Sequence, residues 1–104
     1  MSILSLLGFG SGAIRDAARK GAVIIDVRTA YEFDQGKVPG SINIPVDRII
    51  ANTARIKNLQ RPVIFCSASG TRSAAATRLL KQMGLKEVYD GGSWRRLLKI
   101  LNTL

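Results

Sequence analysis

A thiol and a hydroxyl stand side by side in the stretch VIFCSASGTRSAAA, residues 63–76: Cys66, the chain's one cysteine, and Ser67. A cysteine thiolate becomes a strong nucleophile when nearby N–H groups or cations lower its pKa, whereas a serine hydroxyl needs an adjacent base. There is no histidine among the 104 residues, which excludes Ser-His and Cys-His catalysis and disfavours a zinc or iron site. No metal and no cofactor is therefore expected. The residues that follow have the chemistry of an anion cradle. In Ser67, Ala68, Ser69, Gly70 and Thr71, successive backbone N–H groups can turn inward, and Gly70 lets backbone come close to a ligand. Arg72 stands at the entry of a helix whose dipole favours negative charge. Each of these residues also has a plainer reading. Cys66 can be a small hydrophobe closing a buried strand, Arg72 a solvated helix residue and Gly70 a turn.

The elements around this loop follow an alternating pattern. AVIIDV (residues 22–27) and PVIFC are short apolar runs of the kind found in strands buried on both faces. SGAIRDAARKG predicts a helix capped near Ser11 and stopped by Gly21. Thr29 and Glu32 have capping-box spacing, so TAYEFDQG predicts one or two helical turns. A turn is expected at Pro39-Gly40, a short strand over residues 42–44, and a helix over RIIANTARI capped by Asp47. RSAAATRLLKQMG is the strongest helical segment, with Ala75, Leu79 and Met83 as its expected inward stripe. EVYD predicts a fourth strand, and Ser93 caps a closing helix, WRRLLKILNTL. The fold class expected is α/β: a three-layer, four- to five-stranded parallel sheet with helices on both faces, the fifth strand coming from the N-terminus. A single domain over residues 1–104, with its core over about 11–101, suits this length. In such sheets ligands sit at the carboxyl ends of the strands, which selects the loops after Val27, Cys66 and Asp90.

Composition narrows the partners. Hydrophobic residues make up 46% and charged ones 22%, as in a folded globular chain, and one cysteine allows no internal disulfide. A formal charge of +9 suits a basic surface that draws small anions or acidic proteins. Its cations are scattered and aromatics are 6%, which argues against nucleic acid. The start, MSILSLLGFGSG, lacks a basic residue ahead of its apolar run and is too short to span a bilayer, so it reads as an edge segment or a frayed end. The cytoplasm is the expected location. In WRRLLKILNTL, Trp94, Leu97 or Leu98, and Leu101 form an inward stripe, with Arg95, Arg96 and Lys99 elsewhere. That helix packs on the sheet; the sharper alternative is a basic amphipathic surface for an acidic partner or a membrane face.

Three separated motifs, VIIDVRTAYEFDQGKVPGSINIP, PVIFCSASGTRS and VYDGGSW, resemble the rhodanese domain in order and spacing, over residues 22–94. The resemblance implies a parallel α/β fold with an active loop after the central strand, and a sulfurtransferase activity without cofactors. A cysteine there takes sulfane sulfur from a small anionic donor such as thiosulfate or a persulfide, and passes it to a thiol or protein acceptor. It also implies that Asp26 and Arg28 tie the loop after their strand to the scaffold, and that Glu32 matches the acidic residue following them. Lys37 stands where many relatives have histidine, outside the chemistry. Gly91 and Gly92 let the last helix start near the loop, and Trp94 fills core or covers the pocket's flank.

The register within the loop leaves two readings. The family spacing is Cys-x-x-Gly with arginine two residues later, and counting back from Gly70 and Arg72 puts the nucleophile's place on Ser67. Counting forward from Pro62 gives the same position. A serine has no sulfur with which to form a persulfide and no histidine to activate it, so the chain would be an inactive relative that binds an anion or a partner, or one whose cysteine has been replaced deliberately to trap a state. In the other reading Cys66 is the nucleophile of a longer Cys-x5-Arg loop. It would then act as a sulfurtransferase, or in the manner of tyrosine phosphatases and arsenate reductases. A phosphatase also wants a general acid, for which Asp26, Asp47 and Asp90 are present by type. Adjacent strand residues point to opposite sides, so only one of Cys66 and Ser67 faces the cradle.

Overall fold

The computed structural model describes residues 11–104, so the expected N-terminal edge segment and fifth strand lie outside the described residues. Four parallel strands form one sheet in the order β2-β1-β3-β4: β1 Val23–Asp26, β2 Ile42–Asn43, β3 Val63–Ser67 and β4 Val88–Ser93. The two inner strands, β1 and β3, are aligned from Val23 opposite Val63 to Asp26 opposite Cys66. Their near-continuous apolar runs are explained by helices on both sides. α3 (Thr53–Asn58) and α4 (Thr71–Gln82) cover one face, where Ile25, Ile49, Ile56, Phe65 and Leu80 are buried. α1 (Gly12–Arg19) and α5 (Trp94–Leu101) cover the other, packing Ile14, Ala17, Leu97 and Ile100 against Ile64 and Cys66. Burying each large side chain contributes about 1.5–3 kcal/mol, so both layers are needed to hold so short a sheet.

The sheet is irregular in one place, beside the loop of interest. Phe65 pairs with Asp90 but Ser67 pairs with Ser93, so β4 carries one extra residue as a bulge. Glycines make the bulge feasible. A Cβ on Gly91 would lie 2.8 Å from both the Phe65 carbonyl oxygen and Ile64 Cγ2, and Gly92 has φ +74°. The short helix α2 (Ala30–Gln35) follows β1 and begins with the expected capping box: Thr29 Oγ1 accepts from Glu32 N and Glu32 Oε1 from Thr29 N. Ser93 caps α5, its hydroxyl accepting from Arg96 N.

Three expectations are corrected. The inward stripe of α4 is Ser73, Ala76, Thr77 and Leu80, while Met83 is 45% exposed. The hydroxyls of Ser73 and Thr77 donate to Gly70 O and Ser73 O, which lets polar residues take the buried side. Asp47 caps no long helix: residues 46–52 form two 3-10 turns, Val46–Arg48 and Ile50–Asn52, before the shorter α3. Ser11 precedes α1 but makes no side-chain cap; its hydroxyl accepts from Arg15 Nε instead.

Candidate functional site: the loop between β3 and α4

Side-chain alternation along β3 separates the two candidate nucleophiles. Val63 and Phe65 belong to the α3/α4 layer, while Ile64 and Cys66 belong to the α1/α5 layer. Cys66 has no exposed surface. Desolvation by burial, reinforced by the facing Asp26 carboxylate and partly opposed by Arg28, pushes its thiol up to about 12. At neutral pH it is a protonated core thiol, without the lowered pKa a nucleophile requires.

Ser67 lies on the α4 side, equally closed to solvent but amply hydrogen-bonded. Its Oγ accepts from Gly70 N at 3.1 Å and from Ser73 N at 3.2 Å, and donates to Ser73 Oγ at 3.1 Å. Ser73 in turn donates to the Gly70 carbonyl at 3.0 Å. Gly70, at the N-cap of α4, has φ +99° and no side chain to cap with, so Ser67 supplies the oxygen from three residues earlier. Both amides that Ser67 engages are among those that helix geometry leaves without a partner, or belong to the turn that starts the helix. Above Ser67 the tip residues Ala68 and Ser69 are exposed, and Thr71 and Arg72 contribute first-turn amides that have no intrahelical acceptor. The loop abuts the bulge of β4: a Cβ on Gly70 would stand 3.5 Å from Gly92 Cα.

The predicted supporting residues form two ion pairs that hold α2 against this loop. Asp26 and Arg28 are buried together, with Arg28 Nη2 2.7 Å from Asp26 Oδ2 and Arg28 Nε 3.0 Å from both carboxylate oxygens. Arg28 also donates to the Glu32 and Gly36 carbonyls, and its guanidinium lies 4.8 Å from the centre of the Trp94 ring. Arg95 also lies over the Trp94 ring, 4.9 Å from its centre, and Arg28 joins this half-buried ring to the base of α2. Arg72 is held bidentately by Glu32, at 2.7 and 2.9 Å. The hydrogen bonds from Arg72, then the capping contact from the Thr29 amide, draw the Glu32 carboxyl down to about 2, and Glu32 raises the pKa of Arg72. Lys37 lies over the Phe33 ring at 4.7 Å. Of the remaining acids, Asp90 Oδ1 accepts from the Gly92 amide and Asp47 lines a shallow groove with Thr29, Asn43 and Pro45.

Two contributors were not foreseen. Asn43 donates from Nδ2 to the Asp26 and Arg28 carbonyls, fixing the strand end beneath Arg28. Ser73 completes the Ser67 network; its signal was a hydroxyl in the first turn of a predicted helix, six residues after Ser67.

The chain is similar to known proteins in sequence and fold. The sequence pattern of the rhodanese-like domain matches residues 12–94. The thiosulfate sulfurtransferase GlpE of Pseudomonas syringae pv. syringae is 32% identical over 80 residues, covering 73% of this chain and 74% of the relative. The adenylyltransferase and sulfurtransferase UBA4 of Meyerozyma guilliermondii is 31% identical over 75 residues; the match takes in 65% of this chain and spans only 18% of that longer protein. The human single-domain sulfurtransferase TSTD1 superposes with a TM-score of 0.67 at 26% identity, covering 85% of this chain and 91% of that structure. With the matched span reaching from the first helix to the bulge beside the loop, the chain belongs to the rhodanese-like domain family.

Proposed function

We propose that this chain is a rhodanese-like domain that binds small sulfur anions, thiosulfate or the terminal sulfur of a persulfide, in the loop Ser67–Arg72 without carrying the sulfur covalently. One observation carries this reading: Ser67 occupies the loop and is hydrogen-bonded to it, while Cys66 points to the opposite layer with no exposed surface. In persulfide chemistry a thiolate attacks the sulfane sulfur of thiosulfate, an S–S bond forms, and sulfite leaves with the electron pair of the bond that breaks. A serine oxygen, un-ionised at neutral pH and with no base beside it, does not begin that sequence. What the loop retains is recognition. The first-turn amides of α4, its dipole and the exposed tip favour a small anion, and the surplus of basic residues draws it in.

The expected ligands are thiosulfate or a persulfidated partner; a thiol or protein acceptor belongs only to the sulfur-transfer reading through Cys66. Use of Cys66, as a sulfurtransferase, phosphatase or arsenate reductase, would require its side chain to exchange layers with Ser67. That move would place a hydroxyl in the apolar layer and strip two amides of their acceptor. The test is intact-mass analysis after incubation with thiosulfate. The chain is expected to gain no sulfur, and Ser67→Cys to gain one atom that persists when Cys66→Ala is added. A sulfur adduct on the unaltered chain that vanishes with Cys66→Ala would overturn the proposal in favour of sulfur transfer through Cys66.

A further inference from the structure

The loop lies at the carboxyl ends of the strands; the amino ends carry a second feature. A groove of about 360 Å³ opens between the end of α3 and the turns that lead into β3 and β4. Leu85 is its half-buried apolar side chain, packed against the core cluster, and Ile56, Val63 and Val88 lie behind it, almost fully buried. The rim is exposed and basic, formed by Lys57, Arg61 and Lys86. Glu87 is the one carboxylate in the lining, and among the described residues no ion pair joins it to any of the three cations. Arg61 is fixed in place, because its Nε donates to the Gly21 carbonyl at 2.7 Å while its two Nη groups remain as donors. The turn that sets Arg61 there runs through Gln60 at φ 52°, a left-handed conformation that costs a non-glycine residue of order 1 kcal/mol.

Three cations against one carboxylate leave a local excess of two positive charges (3 − 1) around Leu85. A ligand that fits has to bring negative charge to the rim and an apolar group to Leu85. Inorganic phosphate supplies only the first, and one half-buried leucine is too little apolar surface to anchor on a lipid face. We propose that this groove docks an acidic peptide segment of a partner protein: an extended stretch in which carboxylates flank one aliphatic side chain. The aliphatic group covers Leu85, and the flanking carboxylates pair with Lys57, Arg61 and Lys86. The overall charge of +9 adds long-range attraction and speeds the encounter. Because the groove and the loop lie at opposite ends of the sheet, a docked partner leaves the loop open.

The test is fluorescence anisotropy with a labelled hexapeptide, Glu-Asp-Glu-Leu-Asp-Glu, at physiological ionic strength. Saturable binding is expected, and Lys57→Glu with Lys86→Glu should raise Kd at least about tenfold. The milder pair Lys57→Gln with Lys86→Gln, checked for folding by circular dichroism, should raise it in the same direction. Replacing the leucine of the peptide by glycine should weaken binding about fivefold or more, as the contact with Leu85 is lost. Unchanged affinity in both double variants would overturn the proposal. So would an equal loss when Arg95 and Lys99 are reversed instead, or equal binding of the glycine peptide, since either would reduce the effect to bulk charge. Equally tight competition by a single-stranded oligonucleotide or by tripolyphosphate of the same charge would overturn it in favour of a polyanion site.

Discussion

On the α1/α5 side of β3, Cys66 faces apolar neighbours and the Asp26 carboxylate; on the α4 side, Ser67 faces two amides and a hydroxyl. The two residues are adjacent and equally buried, so exposure does not distinguish them. What differs is the supply of hydrogen-bond donors. Donors stabilise a negative charge on whatever atom they face; on the Ser67 side two backbone amides face the residue, while on the Cys66 side the Arg28 guanidinium is taken up by Asp26. The amide donors thus belong to the Ser67 side of the strand, and the thiol of this chain stands one residue away in the other layer.

The sharpest way to break that contrast is to move the thiol to position 67. Ser67→Cys should bring its new thiol within reach of two N–H donors, lower its pKa and raise thiosulfate-dependent sulfur transfer by on the order of 10²-fold or more above the unaltered chain, measured as thiocyanate formed from cyanide. If the variant folds and gains nothing, the donors do not serve an anion. A second test strikes the pair beneath Cys66. Arg28→Ala leaves the Asp26 carboxylate buried without its partner and should cost about 3–5 kcal/mol in urea denaturation, whereas Cys66→Ala should cost about 1 kcal/mol. Ser67→Ala orphans two amides and should fall between them, at about 1–3 kcal/mol. An order with Cys66→Ala above Ser67→Ala would mean that the hydroxyl does not hold the loop. The smallest effect concerns Glu32, whose carboxyl is lowered from the ordinary value of 4.5 to about 2. Its contribution is fully present above about pH 4.5 and is lost as pH falls through about 2. With both partners about one third exposed, Glu32→Gln should remove no more than about 1 kcal/mol of stability at neutral pH and flatten the acid limb of the curve.

Much of this arrangement is legible in the chain, for identifiable reasons. The two buried runs announce inner strands because they have no polar face, and the Thr29–Glu32 spacing announces a cap because that motif is local. The loop is legible from its small residues ahead of a helix. The side that Ser67 takes is implied by alternation, but only after the strand is known to run through residue 67. The stripe of α4 misleads, because hydropathy favours Leu79 and Met83 while the structure buries Ser73 and Thr77, whose hydroxyls are satisfied by carbonyls one turn back. The Arg72–Glu32 clamp joins residues 40 apart, and Asn43 reaches carbonyls 15 and 17 positions away. No local pattern encodes such contacts. The bulge of β4 has no local signature: Gly91 and Gly92 read as room for the last helix, and the register shift depends on how two strands meet.

The hydroxyl at position 67 also sets how the loop meets oxidants. A thiol in that place climbs from sulfenic to sulfinic acid under peroxide and loses its anion site with the first additions. Ser67 has no sulfur to oxidise, and the one thiol of the chain lies sealed in the opposite layer. The loop thus keeps its hydroxyl and its hydrogen bonds under oxidants that would modify a thiol in the same place.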